Sequence, residues 1–120
     1  MTARVSLVEL KVSSRSHAGH TTVSVRGEID LYTAPQLQEE LSSALNAEPE
    51  RLLIDMSQVE FCDSTGMNVL LSALKQAKEQ GGMLELAGPR PAVRKILQVT
   101  GLDSVFTVHD TTEAANPAHR

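Results

Sequence analysis

Apolar residues along the chain follow two rhythms. Val8, Leu10 and Val12 alternate with polar neighbours, and so do Val23 and Val25, the two-residue period of a strand with one buried face. These segments predict an antiparallel pair of strands joined by the Ser/Gly/His-rich stretch from Ser13 to His20. After Gly27 the period lengthens, and Ala34, Leu37, Leu41, Ala44 and Leu45 recur at helical spacing. Thr33-Ala34-Pro35-Gln36 reads as a capping box, with the Thr33 hydroxyl accepting from the Gln36 backbone N–H and Gln36 reaching back. Pro35 suits a first turn that has no use for its missing N–H, and Pro49 marks the chain just past the helix end.

Leu52 to Met56 is a short apolar run whose one charge is Asp55. Lying between two helices, it predicts a central strand covered on both faces. Met67, Leu70, Leu71, Leu74 and Ala77 then share a helical face that closes at Gly81-Gly82. Met83 to Ala87 is the next strand. A third helix starts near Pro91, buries Val93, Ile96 and Leu97, and stops at Gly101, where a left-handed residue followed by apolar Leu102 suits a Schellman-type end. Val105 to Val108 reads as a last short strand and Thr111 to Ala115 as one helical turn. The order β-β-α-β-α-β-α-β predicts a single α/β domain over residues 1–115. Its mixed sheet would have about five strands, with helices packed on it through right-handed crossovers. Residues 116–120 have too few apolar groups to hold themselves down and read as a disordered tail.

Composition narrows the function. At 120 residues, 41% of them hydrophobic, the chain suits one domain that buries roughly two-thirds of its unfolded surface. Fifteen acidic against eleven basic side chains give a net charge of -4, opposite in sign to what a phosphate backbone attracts. Two Phe and one Tyr leave no stacking platform for bases and predict a small aliphatic core. The longest apolar runs are far short of the roughly 20 residues of a membrane span or the roughly 7 to 15 of a signal peptide. A soluble, cytoplasmic protein with no direct nucleic-acid or membrane partner is expected.

The single cysteine, Cys62, has no intramolecular disulfide partner and reads as a small buried hydrophobe. His17 and His20 lie in the predicted loop, His109 after a strand and His119 in the tail. With no third ligand suggested beside His17 and His20, solvated loop histidines are the better reading than a metal site. There is no phosphate-binding Gly-rich loop, no Gly-x-Ser-x-Gly elbow and no His-Glu-x-x-His. The chain therefore predicts no catalytic residues, no metal and no cofactor.

Asp63-Ser64-Thr65-Gly66 is the one place where a hydroxyl looks deliberately set. As structure alone it is an N-cap with more capping side chains than one helix needs, and on the tetrapeptide alone that reading prevails. The surplus leaves a hydroxyl at the positive end of the helix dipole, where Gly66 carries no side chain to shield the backbone and an added phosphate would meet free N–H groups. Gly27-Glu28-Ile29-Asp30 is the second candidate. Glu28 and Asp30 there are solvated acids near a helix start, or members of a surface shared with Ser64 if the strand-to-helix connections gather on one edge.

With those segments in view, the chain resembles the STAS family, named for sulfate transporters and anti-sigma factor antagonists, and within it the small stand-alone antagonists of bacteria. Gly27-Glu28-Ile29-Asp30 followed by Thr33-Ala34 is similar to the family's first signature. Asp55-Met56-Ser57 through Phe61 and Asp63-Ser64-Thr65-Gly66 resemble its phosphorylation-site signature. Gly81-Gly82, the strand to Ala87, Pro91-x-Val93-Arg94 and Thr100-Gly101-Leu102 match its C-terminal third. The resemblance implies a phosphoacceptor at Ser64, with Thr65 the second choice. It also implies a partner surface made of Glu28, Asp30, Asp63, Ser64, Thr65, Gly66, Met67 and Asn68. The implied partners are an anti-sigma factor with serine kinase activity, which binds the unphosphorylated form and thereby releases a sigma factor, and a serine phosphatase that resets the switch. Transcriptional control of stress response or sporulation is the setting this implies. One departure is Met67-Asn68 where the family usually has Leu-Gly, which is expected to make the surface beside Ser64 bulkier and more polar. The alternative the family offers is an accessory subunit docked on a membrane transporter ATPase, which needs no phosphoacceptor.

Overall fold

The computed structural model describes residues 9–115. Five strands, β1 (Lys11–His17), β2 (His20–Ile29), β3 (Arg51–Cys62), β4 (Met83–Ala87) and β5 (Thr107–His109), form one sheet in the order β1-β2-β3-β4-β5. β1 pairs antiparallel with β2, and the remaining neighbours are parallel. Four helices alternate with them: α1 (Ala34–Asn46), α2 (Ser64–Glu79), α3 (Pro91–Val99) and the single turn α4 (Thr112–Ala115). The mixed α/β architecture and the central place of β3 follow the sequence reading.

Side-chain alternation divides the sheet into two unlike faces. Leu52, Ile54 and Met56 of β3 share one core with Leu37, Leu41 and Leu45 of α1, Leu70 and Leu74 of α2, and Val93 and Leu97 of α3. Leu53 points the other way and is buried with Ala87 and Ala115. The expectation that both faces of β3 are covered is met, though unequally, since three helices lie on one face and only α4 on the other. Buried aliphatic side chains of this size contribute roughly 1.5–3 kcal/mol each, so the three-helix layer dominates stability.

Several boundaries also differ from expectation. The stretch from Ser13 to His20 is not a loop: β1 runs through Ser16 and His17, and Ala18-Gly19 alone turn the chain. β1 is an edge strand whose polar residues are exposed, so burial imposes no alternation there. His17 and His20 are consequently paired strand residues, and among the described residues no group of three metal-ligating side chains gathers around them. β3 continues six residues past Met56 because Val59 and Cys62 are buried between exposed neighbours. β5 begins at Thr107, as Val105 still belongs to the end of a 3-10 turn formed by Leu102–Ser104. His109 lies inside β5, and its Nε2 is 2.9 Å from Glu85 Oε1. Val8, His119 and the 116–120 tail lie outside the described residues.

The helix ends show how local chemistry sets these limits. Gly81, at φ +80°, ends α2 with its N–H on the Lys78 carbonyl and the Gly82 N–H on the Ala77 carbonyl, the paired Schellman bonds. The capping box at Thr33 does not form. Gln36 instead donates through Nε2 to the Leu10 carbonyl at 3.0 Å, and the Thr33 hydroxyl is engaged in the preceding turn. No helix among the described residues is long and apolar enough to cross a membrane.

Candidate functional site

The ends of β2 and β3 meet the starts of α1 and α2 at one edge of the sheet. Ile29 and Cys62 are register partners, and the Asp63 N–H donates to the Ile29 carbonyl at 3.1 Å. The two connections, Asp30 to Thr33 and the Asp63 turn, therefore leave the sheet side by side.

At the second connection Asp63 is the N-cap of α2, and its Oδ1 accepts from the Gly66 N–H at 3.1 Å. Its carbonyl takes the Met67 N–H at 3.0 Å. One side chain thus completes the cap, and Ser64, the first helical residue, is exposed with a hydroxyl that makes no hydrogen bond among the described residues. Thr65 is half-buried. The N–H groups of these two first-turn residues have no acceptor within the helix, so the free hydroxyl stands beside free donors at the positive end of the dipole.

Gly66 has a role that the sequence reading missed. A Cβ at this position would lie 2.5 Å from Ile29 Cγ2 and 2.6 Å from Cys62 Sγ, so α2 approaches β2 and β3 more closely than any side chain permits. Gly66 seats the helix start on the sheet rather than baring its backbone to solvent. The Cys62 thiol beneath it is pushed up to about 12 by burial, with the charge of Asp63 adding to the effect. Protonated and enclosed, it is a packing group.

The first connection is built differently. Asp30 Oδ1 accepts from the Tyr32 N–H at 2.9 Å and the Thr33 N–H at 3.0 Å, and the Thr33 hydroxyl approaches it at 3.3 Å. That hydroxyl accepts from the Asp30 N–H and donates to the Glu28 carbonyl. The Asp30 carboxylate is thus folded into its own turn, and no hydrogen bond joins it to Ser64. Glu28 is half-buried on β2, paired with Phe61.

Of the eight predicted partner-surface residues, Gly66 and Met67 are buried, Met67 to 3% exposure. Helix phase turns the Met67 thioether into the core and leaves Asn68 outside. The departure Met67-Asn68 changes the surface through Asn68 alone. The sequence reading also overlooked Leu31, Tyr32 and Phe61, which are 63%, 85% and 44% exposed at this same edge. Composition offered a signal: two of three aromatic residues in the chain sit here instead of in the core.

A five-stranded mixed sheet with this helix arrangement, and a free serine following a capping aspartate, define a STAS domain. The STAS domain family matches residues 11–115, and the chain belongs to it. The anti-sigma-B factor antagonist of Bacillus subtilis is 30% identical over 106 residues, spanning 88% of this chain and 96% of that protein. The crystal structure of an anti-sigma factor antagonist from Mycobacterium paratuberculosis superposes with a TM-score of 0.84 at 33% identity, over 93% of this chain and 95% of that one. The anti-sigma factor antagonist SpoIIAA in its unphosphorylated form shares the fold, with a TM-score of 0.74 at 22% identity over 88% and 92% of the two chains.

Proposed function

We propose that this protein is a cytoplasmic anti-sigma factor antagonist that acts by partner switching and performs no catalysis of its own. Unphosphorylated, it binds an anti-sigma factor and frees a sigma factor. The anti-sigma factor, acting as a serine kinase, phosphorylates Ser64 and lets go, and a serine phosphatase restores the binding form. The observation that carries this reading is the exposed hydroxyl of Ser64, without a hydrogen bond among the described residues, beside a cap already completed by Asp63. Likeness to antagonists over nearly the whole chain supports the class of partner.

The magnitudes suit a switch. Phosphorylation adds about -1.5 to -2 charges near neutral pH. On the free protein the start of α2 favours that charge by roughly 0.3–1 kcal/mol, up to about 2 where partly buried, so the fold survives. In a desolvated interface that also encloses Asp63, like charges brought together cost several kcal/mol. About 4 kcal/mol corresponds to nearly a thousandfold in affinity, and the complex dissociates without unfolding.

The test is an intact mass with peptide mapping on protein purified from its own host. A fraction carrying one phosphate on Ser64 is expected; a phosphate mapping elsewhere, or none under any growth condition, contradicts the proposal.

A further inference from the structure

We propose that Leu31, Tyr32 and Phe61 form an apolar anchor that inserts into an apolar pocket of the anti-sigma factor and supplies affinity, while Ser64 supplies the switch. This inference rests on the partner-switching reading and assigns its binding surface a second, separable part.

Four observations carry it. First, the chain has three aromatic residues. Phe106 is in the core, whereas Tyr32 and Phe61 are exposed together with Leu31, leaving large apolar side chains in water where an aliphatic core of this size could have used them. Second, all three lie within three residues of the Ile29–Cys62 pair, at the end of the sheet from which the Asp63 turn leaves through the Asp63–Ile29 hydrogen bond. Third, the short excursion Leu31-Tyr32 is fastened at both ends. Asp30 Oδ1 holds the N–H groups of Tyr32 and Thr33, the Ala34 N–H donates to the Asp30 carbonyl, and the Thr33 hydroxyl ties Asp30 to Glu28. Side chains displayed on a pre-formed turn lose less freedom on binding. Fourth, no polar group is exposed on Leu31 or Phe61 side chains to satisfy, and Tyr carries one hydroxyl that tolerates a wet rim. Tyr is among the residues that dominate interface energies when enclosed in a partner pocket.

The occupant is the anti-sigma factor because the anchor shares an edge with the residue that this partner must reach to phosphorylate. The Asp30 turn then acquires a purpose: it aims Tyr32. Asp30 is a positioning residue, with its carboxylate spent on backbone N–H groups.

The experiment titrates wild type, Tyr32→Ala, Ser64→Asp and the double variant against the cognate anti-sigma factor, with the thermal midpoint of each recorded. Tyr32→Ala is expected to weaken binding about 10- to 100-fold, the loss typical of an aromatic hot spot, with the midpoint unchanged because Tyr32 is 85% exposed. The fold-loss due to Ser64→Asp is expected to be the same with and without Tyr32. Wild-type affinity in Tyr32→Ala, in a series where Ser64→Asp still weakens binding, overturns the anchor and leaves the switch standing. A Ser64→Asp effect that vanishes in the absence of Tyr32 overturns the separation into two parts. No binding by the wild type overturns both the anchor and the partner-switching reading.

Discussion

The strand-to-helix connections after β2 and β3 each begin with an aspartate, and they use it in opposite ways. Asp63 reaches forward and caps α2 through the Gly66 N–H, which leaves the next side chain, Ser64, with nothing to do inside the molecule. Asp30 folds back on Tyr32 and Thr33 and closes a turn before α1 starts, so that its Oδ1 is engaged within the turn while Leu31 and Tyr32 are exposed. One connection presents an exposed hydroxyl, the other exposed apolar side chains. Two connections that share an opening aspartate thus reach different ends because a carboxylate satisfies whichever backbone N–H groups the local turn offers.

The largest expected effect concerns the seating that both connections share. Gly66→Ala places a methyl against Ile29 Cγ2 and Cys62 Sγ, both fixed in the core. Overpacking costs about 1–3 kcal/mol and outweighs the gain of roughly 1 kcal/mol that alanine brings to a free helix. Urea unfolding should show a net loss of up to about 2 kcal/mol. A more stable Gly66→Ala would mean that α2 is not seated on Ile29 and Cys62.

Next, the aspartates themselves separate by paired substitution. Asp63→Ala removes an N-cap and should cost about 1 kcal/mol. Asp30→Ala removes an acceptor from two N–H groups and should cost a similar amount, about 0.5–1.5 kcal/mol for each bond left unmade, discounted where water replaces it. Asp30→Asn keeps the Oδ1 acceptor, so it should retain both stability and partner affinity. If Asp30→Asn abolishes binding while its thermal midpoint is unchanged, the charge of Asp30 belongs to the interface after all.

A third carboxylate, on the opposite side of the sheet from the three-helix layer, serves as a control for purely internal work. Burial raises the pKa of Glu85, but hydrogen bonds from His109 and Arg51 and the charges of both outweigh this and hold it below its ordinary value of 4.5. A carboxylate with a depressed folded pKa contributes stability that is present above the unfolded value and lost as pH falls through the folded one. The stability gap between wild type and Glu85→Gln should therefore be full at neutral pH and shrink below pH 4.5, read from urea unfolding at a series of pH values. A gap that does not change with pH would remove the ionised form of Glu85 from the account.

The smallest effect is at Ser64. With no hydrogen bond to lose, Ser64→Ala should change stability by no more than about 0.5 kcal/mol. A clearly larger loss would place Ser64, like Asp63, among the capping groups.

These contrasts also mark what the amino-acid pattern can carry. The helices were legible because Leu37, Leu41 and Leu45, or Leu70, Leu74 and Ala77, must share one buried face. β4 was legible for its short apolar run. The part of β1 after Val12 was read as a loop because an exposed edge strand needs no alternation, and the far half of β3 was missed because polar residues interrupt its apolar pattern. The site was legible as a surplus of capping groups at residues 63–65, but their division of labour was not. Whether Thr33 and Gln36 cap one another depends on bonds from Gln36 to Leu10 and from Thr33 to Glu28, spanning 26 and 5 residues, which local spacing does not reveal. The placement of Met67 inside and Tyr32 outside likewise follows from tertiary packing, since a methionine or tyrosine beside a helix start suits either side.

The most direct test of the central claim is an ATP challenge of the preformed complex between this protein and its cognate anti-sigma factor. Wild type should incorporate one phosphate at Ser64 and dissociate on addition of ATP, while Ser64→Ala should incorporate none and stay bound. Release of Ser64→Ala at the wild-type rate, or its phosphorylation at another residue with the same consequence, would contradict the assignment of Ser64 as the switch.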